Sequence, residues 1–191
     1  IYDGPFSDHL VTAEPRGVTG EQLDVEQAKQ KVVEFFGQDK VQSVENINQN
    51  DTDPIKTYGC KVTFKDVPEE QSATIGVTQK GGHPMWMIYQ RPVAEKTIEV
   101  DEAKKLGKDF LDSRGYKSMV DTYYIMEDNT ATINYAYKQD DVIVYPDLIK
   151  LKIALDNGEI IGFEAKGYLS AHTERNIPAP SISEEEARAV I

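Results

Sequence analysis

The stretch Leu23-Asp24-Val25-Glu26-Gln27-Ala28-Lys29 decides the fold, because its pattern returns twice further along the chain. It recurs as IEVDEAK at residues 98–104 and as ISEEEAR at residues 182–188. Each copy places a capping residue three positions before an acid or amide, which is the spacing of a capping box. The three pairs are Asp24 with Gln27, Glu99 with Glu102, and Ser183 with Glu186. The sequence therefore predicts three helices that begin in the same way.

Two units of similar length follow from this repeat. Behind the first two copies, apolar residues recur at steps of three and four, which is typical of a helix with one buried face. Strand material comes next and ends in a tight hairpin, marked by Gly81-Gly82 in the first unit and Asn157-Gly158 in the second. In the second unit, strands are predicted at residues 118–127, 130–138, 148–155 and 159–168. We expect an α+β fold of tandem modules, each with one helix on an antiparallel sheet of three to four strands.

The repeat also predicts the domain organisation. Residues 1–20 are an irregular segment, 21–95 the first module, 96–173 the second, and 174–191 a linker with the truncated start of a third module. Residues 1–6 echo residues 88–93, so we interpret them as the leftover strand of an upstream unit. Independent motion is expected after Thr173 rather than before Ile98, because residues 176–180 contain two prolines. Ile191 falls inside the third predicted helix, so we interpret the sequence as part of a longer protein.

Composition excludes several classes of function. The chain carries 33 acidic and 21 dispersed basic residues, for a net charge of −12, so neither nucleic acid nor an anionic lipid surface is an expected partner. No apolar run approaches the roughly 20 residues that cross a bilayer. Cys60 is the single cysteine and alternates with apolar residues, so we expect an inert core thiol and no internal disulfide.

Catalytic and metal-binding patterns are incomplete in this sequence. His9, His83 and His172 lie far apart, and the acidic stretches 51–53, 140–141 and 156–159 lack the spacing of a calcium loop. No Gly-x-Ser-x-Gly turn is present, and Gly81-Gly82 is not followed by the residues of a phosphate-binding loop. We therefore predict no catalytic residue, no cofactor and no metal. A peptidoglycan or peptide hydrolase stays open as an alternative, since 33 acids always include some suitably spaced pair.

Aromatic side chains are the candidate partner-binding residues. Residues 85–89 and 123–126 are apolar at successive positions, so large side chains occupy both faces of these strands. Burial between helix and module is one interpretation, and a protein-docking patch of the kind that Tyr, Trp and Met favour is the other. The residues predicted for docking are Trp86, Tyr89, Tyr123, Tyr124, Tyr135 and Tyr137. A self-associating scaffold or homodimer is a third interpretation, in which strands pair between identical chains.

The repeated helix start, followed by antiparallel strands with an Asp-Asn-Gly-Glu turn, resembles the PepSY module. The string IYDGPFSDH at residues 1–9, the tandem modules and FEAKGY at residues 163–168 resemble the YpeB family of spore germination proteins. This resemblance covers essentially the whole chain. Extra length at residues 48–54 and 139–147 departs from a plain PepSY unit, so contact surfaces cannot be transferred residue by residue.

The resemblance implies a function that composition alone does not. Members of the YpeB family are held by an N-terminal membrane anchor that this sequence lacks. They reside in the dormant spore, on the outer side of the inner spore membrane or in the cortex. They work with the cortex-lytic peptidoglycan hydrolase SleB, each needing the other to persist. By this resemblance we expect a non-enzymatic partner that binds and stabilises, or inhibits, a hydrolase of the SleB type.

Overall fold

Helices and strands follow one another in the same order twice. The computed structural model describes residues 14–178, 181–182, 186 and 188–189. Its helices are α1 (Val25–Phe36), α2 (Val100–Ser113) and α3 (Lys166–Ala171). Its strands are β1 (Val41–Asn50), β2 (Thr57–Phe64), β3 (Ala73–Thr78), β4 (Pro84–Tyr89), β5 (Met119–Glu127), β6 (Thr130–Gln139), β7 (Val142–Ala154) and β8 (Ile160–Glu164). A helix with four strands thus occurs twice, and α3 follows.

All eight strands form one antiparallel sheet, in the order β1-β2-β3-β4-β8-β7-β6-β5. The two halves join where β4 pairs with β8, and Met87 lies opposite Phe163 at the centre of this pairing. The predicted α+β class with antiparallel strands is confirmed. The shared sheet was not predicted, because strand patterns do not reveal which unit supplies the neighbour of an edge strand. The first strands of the two halves, β1 and β5, form the two edges of the sheet.

The capping box is present in the first helix and absent from the second. Asp24 Oδ1 accepts from the Gln27 amide at 2.9 Å, and Gln27 Oε1 accepts from the Asp24 amide at 2.9 Å. The prediction for α2 is wrong: the Glu99 side chain makes no cap and instead accepts from Lys96 Nζ at 2.7 Å. The longer glutamate side chain reaches a cation outside the helix. The third predicted pair includes Ser183, which lies outside the described residues.

The helices lie on one side of the sheet and bury its central row. Helix α1 contributes Ala28, Val32 and Phe35 to this core, and α2 contributes Ala103, Gly107 and Leu111. The central row of the sheet consists of Ile75, Met87, Phe163, Leu151 and Ile133, all buried. Ring centroids of Phe35 and Phe110 lie 5.5 and 6.4 Å from that of Phe163, so both helices meet over the junction strand. Burial of these rings holds the two halves together.

An arginine clamp closes the junction from the side. Arg91, just after β4, donates two hydrogen bonds to the Asp156 carboxylate at 2.9 and 2.8 Å. It also donates to Asn157 Oδ1 at 2.6 Å, and its Nε lies 2.6 Å from Glu159 Oε2. The acceptors all belong to the turn between β7 and β8, where the sequence predicted a hairpin at Asp156-Asn157-Gly158. We call this group, Arg91 with Asp156, Asn157 and Glu159, the junction clamp.

Two segments of the second half differ from prediction. The strand predicted at residues 159–168 is present only as far as Glu164, and α3 begins at Lys166 in place of its end. Gly167 makes this possible, since a Cβ there would lie 3.1 Å from the Pro146 carbonyl oxygen of β7. Strand β7 begins at Val142, so most of the extra length at residues 139–147 is strand, and Asp140 turns the chain with a φ of 53°.

The segment after α3 is anchored to the sheet as far as Arg175. The Arg175 guanidinium donates to both oxygens of the fully buried Asp147, at 2.6 and 2.7 Å. His172 Nδ1 lies 2.8 Å from Asp147 Oδ2, and the Arg175 amide donates to Gln139 Oε1 at 3.0 Å. These contacts anchor residues 173–175 to the sheet, and independent motion further along the chain stays a prediction. Nothing in the sequence marks Asp147 as the buried anchor.

The predictions for the two ends of the chain fall mostly on residues outside the described ranges. The predicted leftover strand at residues 1–6 lies outside the described residues, as do most positions of the predicted helix at residues 182–191. Of those positions, Glu186 and Arg188 are described and are helical. The module boundaries stay a prediction. None of the helices in the described part of the chain has the length and apolar character needed to cross a membrane.

Candidate functional site

The side of the sheet that faces away from the helices carries two parallel rows of side chains. Side chains alternate along a strand. Met87 is buried under the helices, so Trp86 and Ile88 on either side of it point to the opposite face. Cross-strand pairing connects Thr74, Ile88, Gly162, Lys152, Thr132 and Ile125 in one row, and Gly76, Trp86, Glu164, Lys150, Asn134 and Tyr123 in the next. We call these twelve positions the open face. It extends without interruption across the junction of the two halves.

Large apolar side chains on the open face are exposed to solvent. Ile88 is 57% exposed, Tyr123 60% and Ile125 53%. Trp86 is half-buried because its indole lies on Gly76, where a Cβ would overlap the ring. Exposed aromatic and aliphatic groups set among polar ones are typical of surfaces that bind another protein.

Charged side chains separate the two apolar groups of the open face. Lys150 Nζ lies 3.4 Å from Glu164 Oε2, and both side chains are substantially exposed. The Cβ of Lys152 lies 2.9 Å from where a Cβ on Gly162 would be, so the lysine stem covers that glycine. Lys152 has no ion pair within the described part of the chain. A partner can therefore meet both apolar contact and a free positive charge here.

Strand β5 is an edge of the sheet that the described residues form, and it borders this surface. Its other side pairs with β6, from Met119 opposite Tyr137 to Glu127 opposite Thr130. Tyr124 points to the helix side, where Lys104 Nζ lies 4.8 Å above its ring. A hydrogen bond from Lys104 to Asp121 raises the pKa of that lysine. Since an edge strand offers free N–H and C=O groups, β5 can accept an extended segment of another chain.

The six predicted docking residues are not brought together. Trp86 and Tyr123 belong to the open face, and Tyr124 borders it from the helix side of β5. Tyr135 is fully buried and donates to the Lys104 carbonyl at 2.8 Å, so its inclusion was wrong and it contacts α2 instead of a partner. The period-two alternation of β6 is visible in the sequence, but not which of its faces the helix covers.

The remaining two tyrosines lie on the helix side. Tyr89 packs its ring edge-on against Phe64, with centroids 5.0 Å apart, and burial raises the pKa of its hydroxyl. Tyr137 packs against the His172 ring at 4.7 Å, within the anchor of the tail. Ile88 and Ile125, by contrast, lie exposed on the open face and were not among the predicted residues. Alternation along a strand shows which face each isoleucine occupies only once the pairing of the strands is known.

The cysteine and the described histidines, which could act in catalysis or metal binding, are buried or hydrogen-bonded to other groups. Cys60 is fully buried, and burial raises the pKa of its thiol. His83 Nε2 lies 2.7 Å from the Thr19 carbonyl oxygen, and His172 is held by Asp147. His9 lies outside the described residues. Across the ranges that the structure describes, no three His, Cys, Asp or Glu side chains are placed to hold a metal ion.

Comparison with known proteins identifies a family. The family model described as "YpeB sporulation, PepSY1 and PepSY2 domains" matches residues 1–178. Sporulation protein YpeB of Halalkalibacterium halodurans is 32% identical over 183 residues, covering 95% of this chain and 40% of that protein. Sporulation protein YpeB of Bacillus subtilis is 30% identical over 174 residues, covering 89% of this chain and 38% of that protein. The chain thus spans about two fifths of the length of these relatives.

A solved structure agrees with the sequence comparison. The Bacillus megaterium YpeB C-terminal domain matches with a TM-score of 0.78 and 27% identity, over 90% of this chain and 76% of that one. The relatives carry the name of a sporulation protein and not that of an enzyme. With a family match over most of its length and the same fold, the chain belongs to the YpeB family of sporulation proteins and contains the PepSY1 and PepSY2 domains of that family.

Proposed function

We propose that this chain is a non-enzymatic regulator that binds a cortex-lytic peptidoglycan hydrolase of the SleB type. Membership of the YpeB family supports a role in sporulation. The single observation that carries a binding role is the open face, where Ile88, Tyr123 and Ile125 are exposed on a sheet surface that no helix of the described chain covers. Binding there would remove apolar area from water, which is the main driving force of protein association.

The edge strand and the open face together suggest how the hydrolase docks. An extended segment of the hydrolase pairs with β5 through main-chain hydrogen bonds, while its side chains reach Tyr123 and Ile125. Trp86 and Ile88 lie further along the same rows and supply a second contact. Because docking uses backbone and apolar groups, it needs no reactive side chain on this protein. The bound hydrolase is thereby stabilised and held inactive in the dormant spore.

Location follows from the same proposal. The protein acts on the outer side of the inner spore membrane or in the cortex, where the substrate of such a hydrolase is found. In this proposal, attachment to the membrane is through an N-terminal anchor of the kind that the resemblance to the YpeB family implies. Release of the hydrolase at germination then frees its lytic activity.

Co-elution with lysis measurements tests this function. The purified chain is mixed with a SleB-type hydrolase, passed over a sizing column, and the lysis of cortex fragments is compared for the hydrolase before and after addition of the chain. We expect co-elution, slower lysis, and longer survival of the hydrolase against a protease. Lysis of cortex fragments by the chain alone would contradict the proposal and favour the hydrolase alternative.

Self-association is a second candidate, because the β5 edge can also pair with β5 of an identical chain. Light scattering over a dilution series from about 1 to 100 μM distinguishes it from a monomeric binder. A mass that stays at one chain throughout supports the hydrolase-binding proposal. A dimer that dissociates on dilution and competes with the hydrolase would favour the scaffold.

A further inference from the structure

A cavity of about 710 Å³ lies on the helix side of the sheet, and none of the open-face positions lines it. Both halves line it, with Phe35 from α1, Arg114 and Tyr116 from the end of α2, and Tyr168 from α3. The segment before α1 closes one side, where the Gly17 amide donates to the Leu169 carbonyl at 2.9 Å. This volume is in the range of sites that hold a small molecule or a few side chains of a peptide.

Among the residues that the structure describes, neutral groups alone hold Arg114 in place at this cavity. Its Nε donates to the Phe35 carbonyl at 2.9 Å, and Nη1 donates to Ser113 Oγ at 3.0 Å. The guanidinium carbon lies 5.0 Å from the ring centroid of Phe110 and 5.7 Å from that of Phe35. Its position is therefore fixed, while Nη2 has no hydrogen-bond partner among the residues that the structure describes.

Two other arginines of this protein, Arg91 and Arg175, are each paired with a carboxylate. Arg91 binds both oxygens of Asp156, and Arg175 binds both oxygens of Asp147. Arg114 has no carboxylate within the described part of the chain, although the protein has 33 acidic residues. A planar guanidinium with free donors is the side chain best suited to two-pronged binding of a carboxylate.

The electrostatic state of Arg114 points the same way. Arg114 remains exposed to solvent, and partial burial of its guanidinium lowers its pKa. Arg16 also lines the cavity and has no ion pair among the described residues, whereas Lys31 is paired with Glu34 at 2.7 Å. The lining also includes Glu174, so an anion in the cavity would meet two arginines without an ion pair among the described residues, aromatic walls, and the carboxylates of Glu34 and Glu174 at the periphery.

We propose that this cavity is a carboxylate-binding site anchored by Arg114, in which the carboxylate meets the guanidinium and the apolar part of the ligand lies against the aromatic walls. The carboxylate belongs either to a free small acid or to the acidic side chain of a bound peptide. This site is independent of the open face and of the proposed hydrolase partner. Arg16 contributes long-range attraction rather than the fixed contact.

Titration of the ¹⁵N-labelled chain, followed by NMR, tests the site in two arms. The first arm uses succinate, with uncharged succinamide as its control. The second uses the peptide acetyl-Leu-Glu-Phe-amide, with its Gln counterpart as control. We expect the Arg114 Nε–H and the Gly115 and Tyr116 amides to shift with a carboxylate and not with its amide. Binding of the peptide alone assigns the carboxylate to a protein segment, and equal binding of succinate assigns it to a small acid.

Variants separate the anchor from general charge. Arg114→Gln should weaken carboxylate binding about tenfold, since a two-pronged charged contact is lost. Lys105→Gln removes one exposed charge from the same helix, outside the cavity, and should leave binding unchanged. Should Arg114→Gln fail to fold, the wild-type titration with its amide controls decides alone. No shift in either arm, or shifts centred on Lys40 and Asp66 of the second, 500 Å³ cavity that Arg114 also borders, would overturn the proposal.

Discussion

Replacement of Arg91 by Met should loosen the junction between the two halves. The change removes three hydrogen bonds to Asp156 and Asn157 and the charge contact with Glu159. Removing one partner of a buried ion pair costs about 3–5 kcal/mol, because the other charge stays buried and unpaired. The Arg91 and Asp156 side chains are 9% and 11% exposed, so we take the low end, about 3 kcal/mol of unfolding free energy at pH 7.

The pH dependence of the unfolding free energy gives a second estimate of what the Arg91–Asp156 pair contributes. Hydrogen bonds from Arg91 hold the pKa of Asp156 at about 2, below the ordinary 3.8. A carboxyl group with a lowered folded-state pKa stabilises the protein above its unfolded-state pKa and loses this effect as pH falls towards the folded-state value. The shift corresponds to about 2 kcal/mol, present at pH 5 and mostly lost at pH 2. The difference between wild type and Arg91→Met should shrink accordingly over this range.

Urea unfolding followed by Trp86 fluorescence measures both effects, at pH 7 and at steps down to pH 2. Lys150→Met is the matched control, because its ion pair with Glu164 is exposed and should contribute less than about 1 kcal/mol. The double variant Arg91→Met/Asp156→Leu should recover part of the loss, as it leaves no buried charge. An Arg91→Met protein as stable as Lys150→Met, with an unchanged pH profile, would refute the junction clamp.

Three further predictions concern the core, the tail and the thiol. Gly107→Ala should lower the unfolding free energy by about 1–3 kcal/mol in urea titrations, despite the better helix propensity of Ala, because a Cβ would overlap the Tyr135 hydroxyl; a more stable variant would contradict this packing. Asp147→Asn should speed tryptic cleavage after Arg175, measured by mass spectrometry, because the buried carboxylate that holds this arginine is lost; an unchanged rate would contradict the anchor. Cys60 should react with a thiol reagent only when urea unfolds the chain, since it is fully buried; rapid reaction of the native protein would contradict its burial.

Local patterns of the sequence carried much of the fold. The Asp24 cap, the helical periodicity behind it and the Gly-containing hairpins are short-range signals, and the structure confirms them. The cap at Glu99 failed because a competing partner, Lys96, is near in space. Strand β8 was predicted too long because nothing in the sequence marks Gly167 as a point of close helix-to-sheet approach.

Contacts between residues far apart in the chain could not be predicted from the sequence. Nothing in the β4 and β8 segments indicates that Met87 and Phe163 face each other across the two halves. The same limit applies to Asp147 with Arg175 and to Arg91 with Asp156, whose partners are 28 and 65 residues apart. The open face was therefore only partly visible in the sequence: aromatic content marked Trp86 and Tyr123, which lie on it, but also the buried Tyr135, because residue type does not reveal which face of a strand the helices cover.

The affinity of a SleB-type hydrolase for this chain tests the central claim most directly, when measured by calorimetry with open-face variants. Ile88→Ser and Tyr123→Ser should each weaken binding about tenfold, because each removes a large exposed side chain from the proposed contact. Tyr145→Ser is the matched control, since Tyr145 is 63% exposed, as against 60% for Tyr123, and lies outside the open face. Equal affinity for all four proteins, or no binding of the hydrolase to the wild-type chain, would contradict the account.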